Sequence, residues 1–133
     1  MLFGQEHVKR YRQTDGAEGH DWNGVSVLLL TTTGRRSGSQ RTTPLIYGTR
    51  NGDYVVVASK GGAPGQPSWY LNLTAEPAVE VQVRGNRFKA RARSATGDER
   101  AELWKLMAAQ WPSYNDYQTK TKREIPVVVL ERS

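Results

Sequence analysis

Between residues 78 and 93 the chain alternates with period two. Val79, Val81 and Val83 fall on one side of the pattern and Glu80, Gln82 and Arg84 on the other; beyond Gly85-Asn86, Phe88, Ala90 and Ala92 alternate with Arg87, Lys89, Arg91 and Arg93. Side chains of a strand point alternately to its two faces, so this stretch predicts an antiparallel hairpin with one buried face. With Gly85-Asn86 as a two-residue turn, Glu80 stands opposite Arg91 and Gln82 opposite Lys89. Other apolar runs do not alternate. Residues 26–33 are β-branched and leucine residues ended by Gly34, and 125–130 are a second such run; both read as strands. Asn51-Gly52 is a hairpin signal, because both central positions of that turn need positive φ, and it joins a strand over 41–49 to one over 53–59.

Helical spacing is confined to four places. Residues 5–12 form a short helix in a lead, 1–24, whose Gly/Asp/Glu/Asn-rich second half predicts loose attachment. A glycine-rich connection, 60–66, leads to a helix over 67–74 with Pro67 at its tolerant first turn. Thr96 and Glu99 have capping-box spacing and precede Arg100, Leu103, Trp104, Met107, Ala108 and Trp111 at helical intervals. The two tryptophans read as a core-facing stripe, with a stacking site as the rival. Ser113 caps a last short helix through Tyr114, Tyr117 and Gln118. Strand neighbours are mostly antiparallel and no βαβ rhythm appears, which predicts a mainly β fold with helices (α+β): a small barrel, 25–133, with helices on its rim.

Size and composition narrow the function classes. A chain of 133 residues is one domain long, and with no cysteine it has neither disulfides nor thiolate metal sites, which fits a reducing compartment. His7 and His20 are the only imidazoles, and no carboxylate pattern joins them into a zinc site. No apolar run approaches the ~20 residues that span a bilayer, and the start lacks a secretory signal core, so a cytoplasmic protein without membrane insertion is expected. The P-loop pattern G-x-x-x-x-G-K-S/T, the dinucleotide fingerprint G-x-G-x-x-G and the G-x-S-x-G elbow are all missing.

Charge is uneven. The formal net charge is +6, and across 34–67 five basic residues (Arg35, Arg36, Arg41, Arg50, Lys60) face one acid (Asp53), a local balance of +4. Such a surface favours an anionic partner. Gly34-Arg35-Arg36-Ser37-Gly38 to Arg41 puts three guanidinium groups and two glycines on one inter-strand loop, and guanidinium forks and open backbone amides both suit phosphate or carboxylate. A solvated turn has the same composition. The 41–49 strand pairing brings Ser59-Lys60-Gly61-Gly62 toward this loop if the sheet closes. The row Arg84, Arg87, Lys89, Arg91 and Arg93 reads as a solvated sheet face; as a nucleic-acid stripe it lacks aromatic residues for base stacking.

Residues 30–38, Arg41-Thr42-Thr43-Pro44-Leu45, Val57-Ala58-Ser59-Lys60-Gly61-Gly62, Ser68-Trp69-Tyr70-Leu71-Asn72-Leu73, 111–118 and 125–129 together resemble the deazaflavin (coenzyme F420)-dependent nitroreductase family. The resemblance covers about 24–131 and implies a split β-barrel of the FMN-binding, pyridoxamine-phosphate-oxidase-like type. It also implies transfer of a hydride from reduced F420 to a small electron-poor acceptor: a quinone, an activated alkene or a nitro-aromatic. On that resemblance Arg35, Arg36, Ser37 and Arg41 hold the coenzyme's phosphate and polyglutamate tail, and Thr42, Thr43, Pro44, Leu45 and Ile46 line the groove. Val57, Ala58, Ser59, Lys60, Gly61 and Gly62 meet the ring and its side chain. Ser68, Trp69, Tyr70, Leu71 and Asn72 close the other wall, while Tyr114 and Tyr117 are candidate proton donors. Arg36 departs from the lysine frequent at its position, keeping the charge and changing the geometry. FMN is the alternative cofactor, a basic nucleic-acid-binding barrel the non-enzyme alternative; no nucleic-acid partner is expected, and either a monomer or a homodimer fits.

Overall fold

The computed structural model describes residues 2–133. Its strands are β1 (Asp21–Trp22), β2 (Val25–Thr33), β3 (Gln40–Ile46), β4 (Gly48–Arg50), β5 (Asp53–Val57), β6 (Ala78–Val83), β7 (Asn86–Ser94) and β8 (Val127–Arg132). The helices are α1 (Gly4–Gln13), α2 (Ser68–Ala75), α3 (Gly97–Gln110) and α4 (Ser113–Thr119). All strand pairs are antiparallel, in the order β1-β2-β6-β7-β8-β5-β4, with β3 on β2 beside that path.

The barrel closes where one expected strand breaks in two. Residues 41–49 do not pair along their length with 53–59. Instead β3 runs along β2, from Val27↔Ile46 to Thr33↔Gln40, and after Tyr47 only β4 joins β5, with Gly48 opposite Val55. The chain thus passes from one end of the sheet to the other through a single residue. Tyr47 donates its amide to Ser26 O at 3.0 Å. At Gly48 a Cβ would lie 2.8 Å from Met107 Sδ and 2.7 Å from Gln110 Nε2, so a side chain at this crossing under α3 would have to displace the ends of both.

Burial explains the two kinds of strand. Leu28, Leu30, Val56, Val128 and Leu130 point into the barrel, which Phe88, Ala90 and Ala92 of β7 also fill and which Trp69 and Leu73 of α2 plug. The alternate residues of β5 and β8 (Val55, Val57, Val127, Val129) are covered by Leu103, Met107 and Tyr114. Val27 and Leu29 are covered by Val8 and Tyr11 of α1. Strands roofed by helices are apolar on both faces, whereas β6 and β7 have no helix outside and alternate.

Three local expectations are corrected. The lead is not loose: Tyr11 is fully buried, its hydroxyl accepting the Arg84 amide at 2.8 Å and donating to Gln82 O at 3.4 Å. That contact sets the β6–β7 turn at Arg84-Gly85, with Arg84 at φ +53°, so Glu80 faces Lys89 and Gln82 faces Arg87. A register change of two residues leaves every side chain on its expected face. Thr96 occupies the N-cap of α3 without a side-chain capping bond, because Glu99 binds Arg93 at 2.6 and 2.9 Å instead. No helix among the described residues is long and apolar enough to cross a membrane.

Candidate functional site

Two cavities lie along β3. The first is a polar cleft of about 570 Å³ beneath the β2–β3 loop. Gly34 shapes that loop by donating to Ser39 O at 2.7 Å, and Gly38, at φ +73°, donates back to Gly34 O at 2.8 Å. Arg35, Arg36, Ser37 and Arg41 line the cleft with Thr42, Thr43, Ser68, Trp69 and Asn72. The three arginines are not equivalent. Arg35 donates its backbone amide and Nη1 to Asn72 Oδ1 at 3.2 and 2.9 Å, and the buried Asn72 donates in turn to Thr32 Oγ1 at 3.2 Å. The side chains of Arg36 and Arg41 are exposed and make neither ion pair nor hydrogen bond among the described residues. Charged forks left open beside a cleft are what an anionic ligand needs. From α1, Gln5 donates to Thr42 O and Arg12 to Thr42 Oγ1, both at 3.2 Å, so the lead supplies part of this wall.

Farther along the same strand Pro44, Leu45 and Ile46 line an aromatic chamber of about 300 Å³, with Val57, Ser59, Gly61, Tyr114 and Tyr117. Tyr114 is 4% exposed, and its ring meets that of Tyr117 edge-on at 6.2 Å. Burial, with a smaller contribution from Tyr117, pushes the Tyr114 phenol above the ordinary tyrosine range, so it stays neutral at physiological pH. Gly61 has φ +62°, and a Cβ there would meet no atom within 4 Å. A side chain at that position would therefore take up cavity space.

Sequence reasoning missed much of the chamber. Phe3, His7, Trp22, Val27 and Trp111 belong to its wall. Trp104 and Trp111 are half-buried and pack against the cluster of Leu103, Met107 and Tyr114, as a core-facing stripe predicts, and Trp111 also packs on Trp22 at 5.8 Å, which Phe3 meets edge-on, also at 5.8 Å. Arg123 was also missed. Its Nε donates to Ala63 O at 2.9 Å, Nη1 to Gln66 Oε1 at 2.7 Å and Ala58 O at 3.2 Å, and Nη2 to Ser59 O at 2.8 Å. One guanidinium thereby holds the glycine-rich loop in shape.

Several expected groove residues are not on either wall. Ala58 is buried in the barrel core, and Gly62 packs against Tyr117, where a Cβ would meet Tyr117 O at 2.7 Å. Lys60 and Leu71 are not lining residues, and Tyr70 binds Ser94 Oγ at 2.9 Å instead. Arg50, counted in the basic segment, pairs with Glu102 at 2.6 Å away from both cavities. On the β7 face, Arg87 pairs with Glu80 at 2.6 Å and Arg93 with Glu99 and Glu131, so much of that basic row is internally compensated.

The chain was compared with known proteins. A family model described as F420H(2)-dependent quinone reductase matches residues 3–132. The F420H(2)-dependent quinone reductase Rv1261c of Mycobacterium tuberculosis is 44% identical over 131 residues, covering 95% of this chain and 87% of the relative. A solved F420-H2 dependent reductase, FDR-A, is 47% identical and superposes with a TM-score of 0.73, over 79% of this chain and 93% of its own. A candidate pyridoxamine 5′-phosphate oxidase from Listeria innocua, 10% identical, shares the fold with a TM-score of 0.57 over 80% of this chain and 83% of its own.

Proposed function

The chain belongs to the F420H(2)-dependent quinone reductase family, and on that premise we propose that the cleft and the chamber are successive parts of one coenzyme groove, the cleft for the anionic tail and the chamber for the flat ring and its electron acceptor. The protein is an F420-dependent oxidoreductase with a split-barrel fold, and quinone reduction is its activity. Activated alkenes and nitro-aromatics, chemically similar electron-poor acceptors, are proposed as further substrates.

The observation that carries this reading is the pair of open cations, Arg36 and Arg41, one strand-length from an aromatic chamber whose polar groups are few. The residues fit the coenzyme. Its phosphodiester and carboxylates find guanidinium groups with no competing protein partner, and Gly61 leaves space where a planar ring needs close approach to backbone. When bound, reduced F420 supplies a hydride. Everything else falls to the protein. Arg36 and Arg41 anchor the tail, Pro44, Leu45 and Ile46 orient the ring, and Trp22 and Trp111 keep water from the acceptor. Tyr114, held neutral, offers a hydroxyl that can donate to an acceptor oxygen, and Tyr117 stands beside it. FMN, with a single phosphate, would leave part of this cationic cleft unused.

Fluorescence titration with F420 and with FMN, followed by reduction of a quinone by reduced F420, tests the proposal. Tighter binding of F420 and saturable quinone turnover are expected. Preference for FMN, or binding of F420 that is indifferent to salt, would overturn it.

A further inference from the structure

His7 belongs to the chamber wall, yet nothing in the reading above uses its chemistry. It lies on α1 with 3% of its surface exposed. One edge of its ring is packed against backbone: Nε2 is 2.8 Å from Gly19 O, and a Cβ at Gly19 would lie 2.9 Å from His7 Cδ2 and 3.0 Å from Nε2. A carbonyl oxygen only accepts, so Nε2 carries the hydrogen and donates. Nδ1, the other ring nitrogen, has no hydrogen-bond partner among the described residues. His20 is the contrast, since its two nitrogens are engaged by Asp21 at 2.7 Å and Tyr47 at 2.8 Å. A ring nitrogen without a protein partner, on a residue that lines a chamber with few polar groups, is open to a ligand partner.

We infer that His7 is a catalytic residue of this site, its Nδ1 meeting the acceptor's oxygen and delivering the proton that completes reduction of a quinone to a quinol. The inference rests on the coenzyme reading above. In the imidazolium form Nδ1–H donates to the quinone oxygen while Nε2–H stays on Gly19 O. Hydride from the reduced deazaflavin enters the acceptor as its C–H bond breaks, the electron pair reduces the quinone, and the oxygen that gains negative charge takes the Nδ1 proton. The neutral imidazole then accepts a hydrogen bond from the new hydroxyl and regains a proton from water, while one proton passes to water from the oxidised coenzyme. Two hydrogens have then moved, net, from coenzyme to quinone.

The neighbours leave this role to His7. Tyr114, across the chamber, is pushed by burial toward holding its proton, so its hydroxyl orients better than it ionises. Tyr117 lines the same wall, and no carboxylate side chain does. On α1 itself Glu6 is paired with Arg10, which also holds Glu18 of the following loop, and Tyr11 lies one turn on. Asp21, in β1, is bound to His20.

The chain has two histidines, so 15N-labelled imidazoles give two sets of ring signals with His20 as an internal control. In the coenzyme-free protein His7 is expected as the Nε2–H tautomer, and 1,4-dihydroxynaphthalene should shift its Nδ1 signal while leaving His20 in place. His7→Gln keeps an amide donor for Gly19 O and removes the acid. Its F420 affinity should stay within about twofold of the parent, while kcat with a naphthoquinone falls roughly 100-fold. An Nδ1–H tautomer, a quinol titration that moves neither histidine or both alike, or a His7→Gln enzyme with the parental kcat overturns the assignment. Failure of the parent chain to bind F420 would remove the coenzyme reading alone, since the NMR titration separately reports whether Nδ1 meets a quinol.

Discussion

The cleft and the chamber share one strand and little else. From Gln40 to Thr43, β3 is polar and borders a cleft whose cations are exposed; from Pro44 to Ile46 it is apolar and borders a chamber of aromatic rings. On the proposed reading, attraction at a distance and affinity for an anion would belong to the first half, because unpaired charges act through solvent before contact. Orientation and water exclusion would belong to the second, where few polar groups compete. A seven-residue strand would then join a handle to a reaction vessel, and each half should fail in its own way.

The largest effect should come from stripping the handle. Arg36→Ala with Arg41→Ala is expected to weaken F420 binding about 100-fold, in line with the loss of two charge-assisted contacts, while affinity for a deazaflavin lacking the phosphate and glutamates stays unchanged. Fluorescence titrations across a range of salt concentrations check both halves of that statement, and equal losses for the two ligands would erase the division of labour. Next is Arg123→Ala, which frees the 58–66 loop from four hydrogen bonds. A stability loss of about 2 kcal/mol in urea is expected, with ring binding impaired and the cleft intact.

A smaller change is Gly61→Ala, about 1 kcal/mol of left-handed backbone strain, together with a methyl placed in the chamber. It should lower affinity for the tail-less deazaflavin by the same factor as for F420, the reverse of the arginine result. Titration of Tyr11 then tests the helix that walls both cavities. Burial raises its phenol to about 12 while the unfolded chain ionises near its ordinary value of 10, so the folded form holds its proton longer. Its contribution to stability is complete below pH 10 and is lost as the pH climbs from there toward 12; thermal melts should show that decline and Tyr11→Phe should remove it. Arg87→Ala on the outer sheet face completes the series, with a stability change of about 0.5 kcal/mol or less and no change in either ligand's affinity.

Legibility followed distance along the chain. The arginine loop was readable because its glycines, charges and flanking strands are contiguous, and the β6–β7 faces were readable because period-two alternation is local. The turn residue itself was not, since Tyr11, 73 residues from Arg84, decides where the hairpin reverses. Nothing local to Arg123 marks it, because its partners are carbonyls about half a chain away that only the fold brings to it. Phe3, His7 and Trp22 lay in a stretch whose composition suggests a loose lead, and their place in the chamber comes from α1 packing on β2.

Residue order alone determined which strands alternate, which are apolar throughout, and where a cluster of cations must sit on a tight loop, because these depend on neighbours a few positions apart. Only the tertiary structure decided which of those cations stay open, that one strand splits at Tyr47 to close the barrel, and that a histidine from the lead faces tyrosines from the far end of the chain. Pairing and burial are set by contacts between distant segments, and a side chain's chemistry is finished only when its partners are known.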